Sequence, residues 1–220
     1  MGNKHVYLEY DVMDNENQWI RSFNHRDGFG STQYLTRCGR LWEAMQIRCY
    51  NELYLSKFPT YSGCTNAFSS FQDFVEWARG EVGYIATDKY GKFWCLDKDI
   101  LVKGNKVYSS NTCCFVPEAI NVLFSTKRNG KSNLPVGVTK DNSKFRARCH
   151  TSSGRIDLGV YKTPEEAHKA WQATKVKHIR DVAEEYLVYY KGREDVYASI
   201  LSRAESIEQE IKDGIITTLI

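Results

Sequence analysis

Arg146, Arg148 and His150 stand two residues apart, with Thr139 and Lys140 before them and Arg155 and Asp157 after. In an extended strand successive side chains point to opposite faces, so Thr139, then Arg146, Arg148 and His150, then Arg155 and Asp157 share one side. The chemistry open to such a side is recognition of a nucleic acid. A guanidinium is a planar fork that bonds guanine O6 and N7 together, and each good pair discriminates by roughly 1–3 kcal/mol. Lys140, Lys144, Lys162 and Lys169 are suited to phosphate contacts, which position a protein without specifying sequence. His150 reads either as a base contact or as an ordinary surface imidazole.

The elements that must hold these side chains are legible around them. Val136 and Val138, then Phe145, Ala147 and Cys149, then Ile156, Leu158 and Val160 form the opposite, apolar side. Asp141-Asn142-Ser143 and Ser152-Ser153-Gly154 are turn sequences between three antiparallel strands. Thr163-Pro164-Glu165-Glu166 predicts a helix start, with Thr as N-cap, Pro at the first helical position and Glu closing a capping box. Ala167, Ala170, Trp171 and Thr174 then make a stripe able to cover the apolar side. Charge follows the same division. Residues 1–126 carry 13 basic and 14 acidic side chains, 127–191 carry 14 and 7, and 192–220 carry 3 and 6. The basic block coincides with the predicted sheet and helix.

Gly137-Val138, Lys144-Phe145, Ala147, Cys149, Leu158-Gly159, Tyr161, Thr163, Glu165-Glu166-Ala167 and Ala170-Trp171 carry a resemblance to the APETALA-type (ethylene-response-factor-like) DNA-binding domain. It covers 133–190. The resemblance implies that the bare sheet face enters a major groove of double-stranded DNA through Thr139, Arg146, Arg148, His150 and Arg155. Plant members carry arginines where this chain has Thr139 and Asp141, and a tryptophan where it has Asp157, so the family's base code does not transfer.

A second segment, 93–124, reads as strand, turn, strand and helix: Phe93 to Leu96, Gly104-Asn105, Thr112 to Val116, then Pro117 opening a helix with Asn121. This order resembles the ββα-metal finger of HNH nucleases. The chain from 36 to 200 also resembles freestanding homing endonucleases of bacterial viruses, or their DNA-binding relatives. It shares Trp42 to Tyr50, Leu96 to Ser109 and Thr112 to Asn121 with them. That resemblance implies Asp97 and Asn121 as ligands of Mg²⁺ or Mn²⁺, hard ions that suit oxygen donors. It also implies a catalytic set of Asp97, Lys98, Asp99 and Asn105, with Lys98 where the finger usually has histidine. A lysine serves as base only if burial depresses its pKa well below about 10.4. The plainer reading is that Asp97 and Asp99 cap a turn, Asn105 turns the chain and Asn121 is a surface amide.

The rest bounds the answer. A 220-residue chain with 42% apolar and 26% charged side chains has a folded composition and no stretch long and apolar enough for a bilayer. Its polar, acidic start predicts no secretory signal and hence a cytoplasmic protein. Seven dispersed cysteines predict reduced, buried thiols, and their spacing argues against zinc. Leu41, Met45 and Cys49, and Phe68, Phe71, Phe74 and Trp77, read as core stripes of helices. Residues 22–33, with His25, and 57–66 read as loops. Ile200, Leu201, Ala204, Ile207 and Ile211 predict an amphipathic helix in 192–220, for packing or self-association. The expected architecture is α+β: a helical part with a ββα-metal-like finger over 1–126, then a three-stranded antiparallel sheet plus helix module over 133–190, then a C-terminal helix. The expected function is sequence-specific binding of double-stranded DNA with metal-dependent cleavage. The rival readings are a regulator that binds without cutting and a protein-binding inhibitor.

Overall fold

The computed structural model describes residues 37–124, 133–152, 154–189 and 193–218. These fall into two compact units: the described residues up to Asp99 with Gly104–Phe115, and Ile100–Lys103 with the described residues from Val116 onward. Residues 22–33, with His25, expected as a loop, lie outside the described residues.

The first unit holds α1 (Arg37–Tyr50), α2 (Glu52–Lys57), a 3-10 turn (Pro59–Tyr61), β1 (Thr65–Asn66), α3 (Phe71–Gly80), β2 (Cys95–Asp97) and β3 (Val107–Tyr108). The strand β4 (Cys114–Val116) begins in it and pairs with β2. The expected loop at 57–66 therefore contains a helical turn and a short strand, and β1 pairs in parallel with β3 through Thr65↔Val107 and Asn66↔Tyr108. Ser70 caps α3 by accepting the Asp73 N–H at 3.1 Å, while Asp73 takes the Ser69 N–H at 2.8 Å. The two predicted stripes are core. Met45, Cys49, Phe68 and Phe74 are buried, and Trp77 stacks on Phe115 with centroids 5.9 Å apart. Arg37 is buried too, its guanidinium donating to the Tyr84 and Trp94 carbonyls at 2.7 and 2.6 Å.

In the second unit, α4 (Glu118–Asn121) is a single turn following Pro117. Then come β5 (Val138–Asp141), β6 (Lys144–Thr151), β7 (Gly154–Tyr161), α5 (Pro164–Tyr189) and α6 (Glu194–Asp213). The sheet is antiparallel in the order β5-β6-β7. Asp141 pairs with Lys144 across a two-residue turn in which Asn142 takes φ 54°, a left-handed conformation that Asn tolerates. The capping box forms as the sequence predicts: the Glu166 N–H reaches Thr163 Oγ1 at 3.2 Å, and the Thr163 N–H reaches Glu166 Oε2 at 3.3 Å. Val138, Ala147 and Ala167 form the buried centre, with Leu134, Phe145, Leu158, Tyr161 and Ala170 packed around it. Trp171 lies over Gly137, whose φ is +81°. A Cβ there would sit 2.1 Å from Trp171 Cδ1, so the close approach admits only glycine.

The tail helix has its partner within this unit. Val196, Ile200, Ala204 and Ile207 are buried where α6 packs along α5, and Arg180 and Glu208 pair across the two helices at 2.9 Å. The apolar stripe that suggested self-association thus packs inside the chain. Gly214 ends α6 in the left-handed conformation. The chain then returns to α5, where His168 Nε2 accepts the Thr217 N–H at 3.0 Å. That bond fixes the tautomer: Nδ1 carries the proton and donates to the Val136 carbonyl at 2.9 Å.

Candidate nucleic-acid interface

The strand register decides which side chains share the face away from α5. Thr139 lies opposite Arg146, Asp141 opposite Lys144, Arg148 opposite Asp157, and His150 opposite Arg155. The predicted assembly of Thr139, Arg146, Arg148, His150 and Arg155 on one side is therefore formed. Lys144 joins it. Lys140 does not, because it pairs with Phe145 and so belongs to the other parity, at the exposed end of β5. Lys162 is exposed just beyond β7, and Lys169 is exposed on α5.

One expectation is corrected. Strict alternation placed Val160 with Ile156 and Leu158 on the covered side, but the register shifts at Ala147/Arg148, and Val160 lies opposite Arg146 on the arginine face, 42% exposed. The cause is a β-bulge, which adds one residue to β7 and reverses parity beyond it. Gly159 supplies the φ of +103° that the bulge uses. Two side chains fasten it: Asp157 Oδ1 accepts the Gly159 N–H at 3.0 Å, and the Tyr161 hydroxyl donates to the Leu158 carbonyl at 2.8 Å. A glycine inside a strand pattern was the available signal.

The face is not a plain cationic surface. Arg146 donates from Nε and Nη2 to Asp141 Oδ2 at 3.0 and 2.6 Å, and from Nη1 to Asp157 Oδ2 at 2.8 Å. Arg148 Nε lies 3.6 Å from the same Asp157 oxygen. The hydrogen bond from Arg146, then that from the Gly159 amide, hold the Asp157 carboxyl below the usual carboxylate range. Asp157 and Asp141 in turn raise the Arg146 guanidinium above its ordinary value. The sequence reads Asp141 as a turn residue and as a departure from the family pattern, whereas it pairs with Lys144 at the end of β5. Its two-residue offset from Thr139 was the signal that puts it on this face.

The candidate catalytic segment is built differently. Asp97 ends β2, and its Oδ1 accepts the Asp99 N–H at 2.8 Å. Lys98 is 7% exposed; its ammonium donates to the Asn105 carbonyl at 3.0 Å and pairs with Asp99 at 3.3 Å. Asn105 Nδ2 donates to the carbonyls of Lys98 and Val107, both at 2.7 Å, and its Oδ1 accepts the Val107 N–H at 3.2 Å. Asp97, Lys98, Asp99 and Asn105 are thus brought together, as the framework of one turn. The Asp99 carboxylate is paired with the Lys98 ammonium. Asp97 stands on β2, in the first unit, and Asn121 on α4, in the second. Among the described residues no group of three or more His, Cys, Asp or Glu side chains is gathered as for a metal ion.

The seven cysteines are free thiols, six of them buried. Burial pushes Cys113 up to about 12 and Cys49 up to about 11. No helix of the described residues is long and apolar enough to cross a membrane. No family model, no curated protein and no solved structure matches the chain.

Proposed function

We propose that this protein binds double-stranded DNA in a sequence-specific way, laying the β6–β7 face into a major groove. The observation that carries this reading is the register itself. It brings Lys144, Arg146, Arg148, His150 and Arg155 to the side of the sheet that α5 leaves bare. A two-stranded ribbon fits the major groove, where each base pair presents a distinct pattern of donors and acceptors. The reading needs no cleavage. The hydrogen bonds of Asp97, Lys98 and Asn105 already account for those side chains as parts of a turn. Cleavage with Mg²⁺ or Mn²⁺ rests on the family resemblance and is tested separately below.

The test is selection of bound duplexes from a random pool, followed by gel-shift titration of the winning duplex. Arg148→Ala and Arg155→Ala should each lose about 5–150-fold in specific affinity. Lys144→Ala should weaken all duplexes alike and flatten the salt dependence by about one unit. A wild type that enriches no sequence defeats the proposal.

A further inference from the structure

Asp157 is an odd residue for a DNA-facing surface, because a carboxylate repels phosphate. It nevertheless sits in the middle of the face and makes three contacts. One oxygen fastens the bulge through the Gly159 amide, and the other receives Arg146 and lies beside Arg148. Asp141 grips Arg146 from the opposite side through two more nitrogen donors. Three of the five guanidinium N–H donors of Arg146 are therefore engaged within the protein, and the two that remain suffice for one bidentate contact.

We infer that Asp157 is the specificity-determining positioning residue of this face, holding Arg146 and Arg148 in one arrangement that fits two guanines and forgoes phosphate attraction. The inference rests on the DNA reading above. A long side chain that swings freely can reach a phosphate or several base edges, whereas one held at both ends meets a single pattern. Holding it beforehand also removes the ordering cost from the binding step. The spacing defines the substrate class. Arg146 and Arg148 stand two residues apart on one strand, about 6.6 Å. That is close to the rise of two base pairs at about 3.4 Å each. The fitting duplex carries two G·C pairs separated by one other pair.

Asp157→Asn separates the two roles of the residue, because the amide oxygen still accepts the Gly159 N–H while the charge that pairs with Arg148 and with Nη1 of Arg146 is gone, leaving Arg146 held from the Asp141 side only. Circular dichroism of the full chain, before and after heating, confirms that the variant folds. Both proteins are then titrated against the duplex that wild type selects, against its single-pair variants at each G·C position, and against an unrelated duplex. In Asp157→Asn, discrimination at the two G·C pairs should fall at least about fivefold. Binding to the unrelated duplex should tighten at low salt, with the salt slope steeper by about one unit. A selected site without G·C pairs at that spacing overturns the inference, and so does a variant that discriminates as sharply as wild type. If wild type selects no sequence at all, the DNA reading fails and this inference falls with it.

Discussion

Two clusters in this chain pair aspartates with a cation, an arginine in one and a lysine in the other, to opposite ends. In the second unit, Asp141, Arg146 and Asp157 lie on an open sheet face, with Arg146 31% and Asp157 45% exposed at the side chain. In the first, Asp97, Lys98, Asp99 and Asn105 close on each other, and the ammonium is buried. The first arrangement leaves donors for a partner; the second consumes them to shape a turn. Exposure of the paired cation, rather than the presence of the pair, separates a surface that can recognise something from one that holds the chain in place.

The strongest way to break this comparison is to disturb the support beneath the open face. Gly137→Ala sets a methyl 2.1 Å from Trp171 and forces a left-handed backbone on alanine. It should cost about 3 kcal/mol and loosen the sheet–helix module. Urea unfolding followed by tryptophan fluorescence reads the loss, and stability near wild type would show that Trp171 does not pack on this glycine.

Lys98→Ala probes the closed cluster. It removes the bond to Asn105 and the pair with Asp99, and should cost about 1–3 kcal/mol in urea unfolding while leaving DNA selectivity unchanged. The nuclease expectation meets its test in the same place. Wild type and Asp97→Ala are incubated with the selected duplex in Mg²⁺, Mn²⁺ and EDTA. Cleavage that needs metal and vanishes in Asp97→Ala would give the closed cluster a chemical role and dissolve the contrast. Activity gained in Lys98→His would do the same.

A smaller effect concerns His168. Burial, partly offset by the bond to Val136 and by Glu210, lowers its pKa below that of an unfolded-chain histidine. The unfolded chain therefore binds the proton more readily. The neutral clamp contributes its full stability above about pH 6.5 and loses it as pH falls through that value toward the lower folded pKa. Thermal unfolding midpoints from pH 8 to pH 5 should drop on this account, and His168→Gln should flatten that part of the profile. The smallest expected change is at Val160. A valine beside Arg146 can touch a thymine methyl, and Val160→Ala should relax preference at one base pair by about fourfold. Selection with the variant would show it.

Much of the second unit was legible because its signals are local. Alternation with period two as far as the bulge, turn residues at 141–143, and the Thr163–Glu166 box all act within a few residues, and the structure follows them. The bulge escaped because one added residue leaves the composition of β7 unchanged while reversing its parity. The first unit was harder. The parallel pairing of Thr65–Asn66 with Val107–Tyr108 joins segments some forty residues apart, and nothing in either dipeptide announces the other. The Asp97–Asn105 cluster was visible as chemistry, but whether carboxylates bind an ion or tie a turn depends on burial and bond direction, which sequence does not carry. The length of α5, running to Tyr189, follows from its packing against α6 and not from its own start signal.

The imidazole of His168 joins the carbonyl of Val136, just before the sheet, to the amide of Thr217, just after α6. Its second partner does not exist until Thr217 has been synthesised, 49 residues after the histidine itself. At translation rates of about 5–20 residues per second, that interval is about 2–10 s. Until then His168 Nε2 has no amide to accept from, and neither its tautomer nor the burial that lowers its pKa is set. The clamp is thus a long-range contact, one for which α5 and α6 must both be made before it can close.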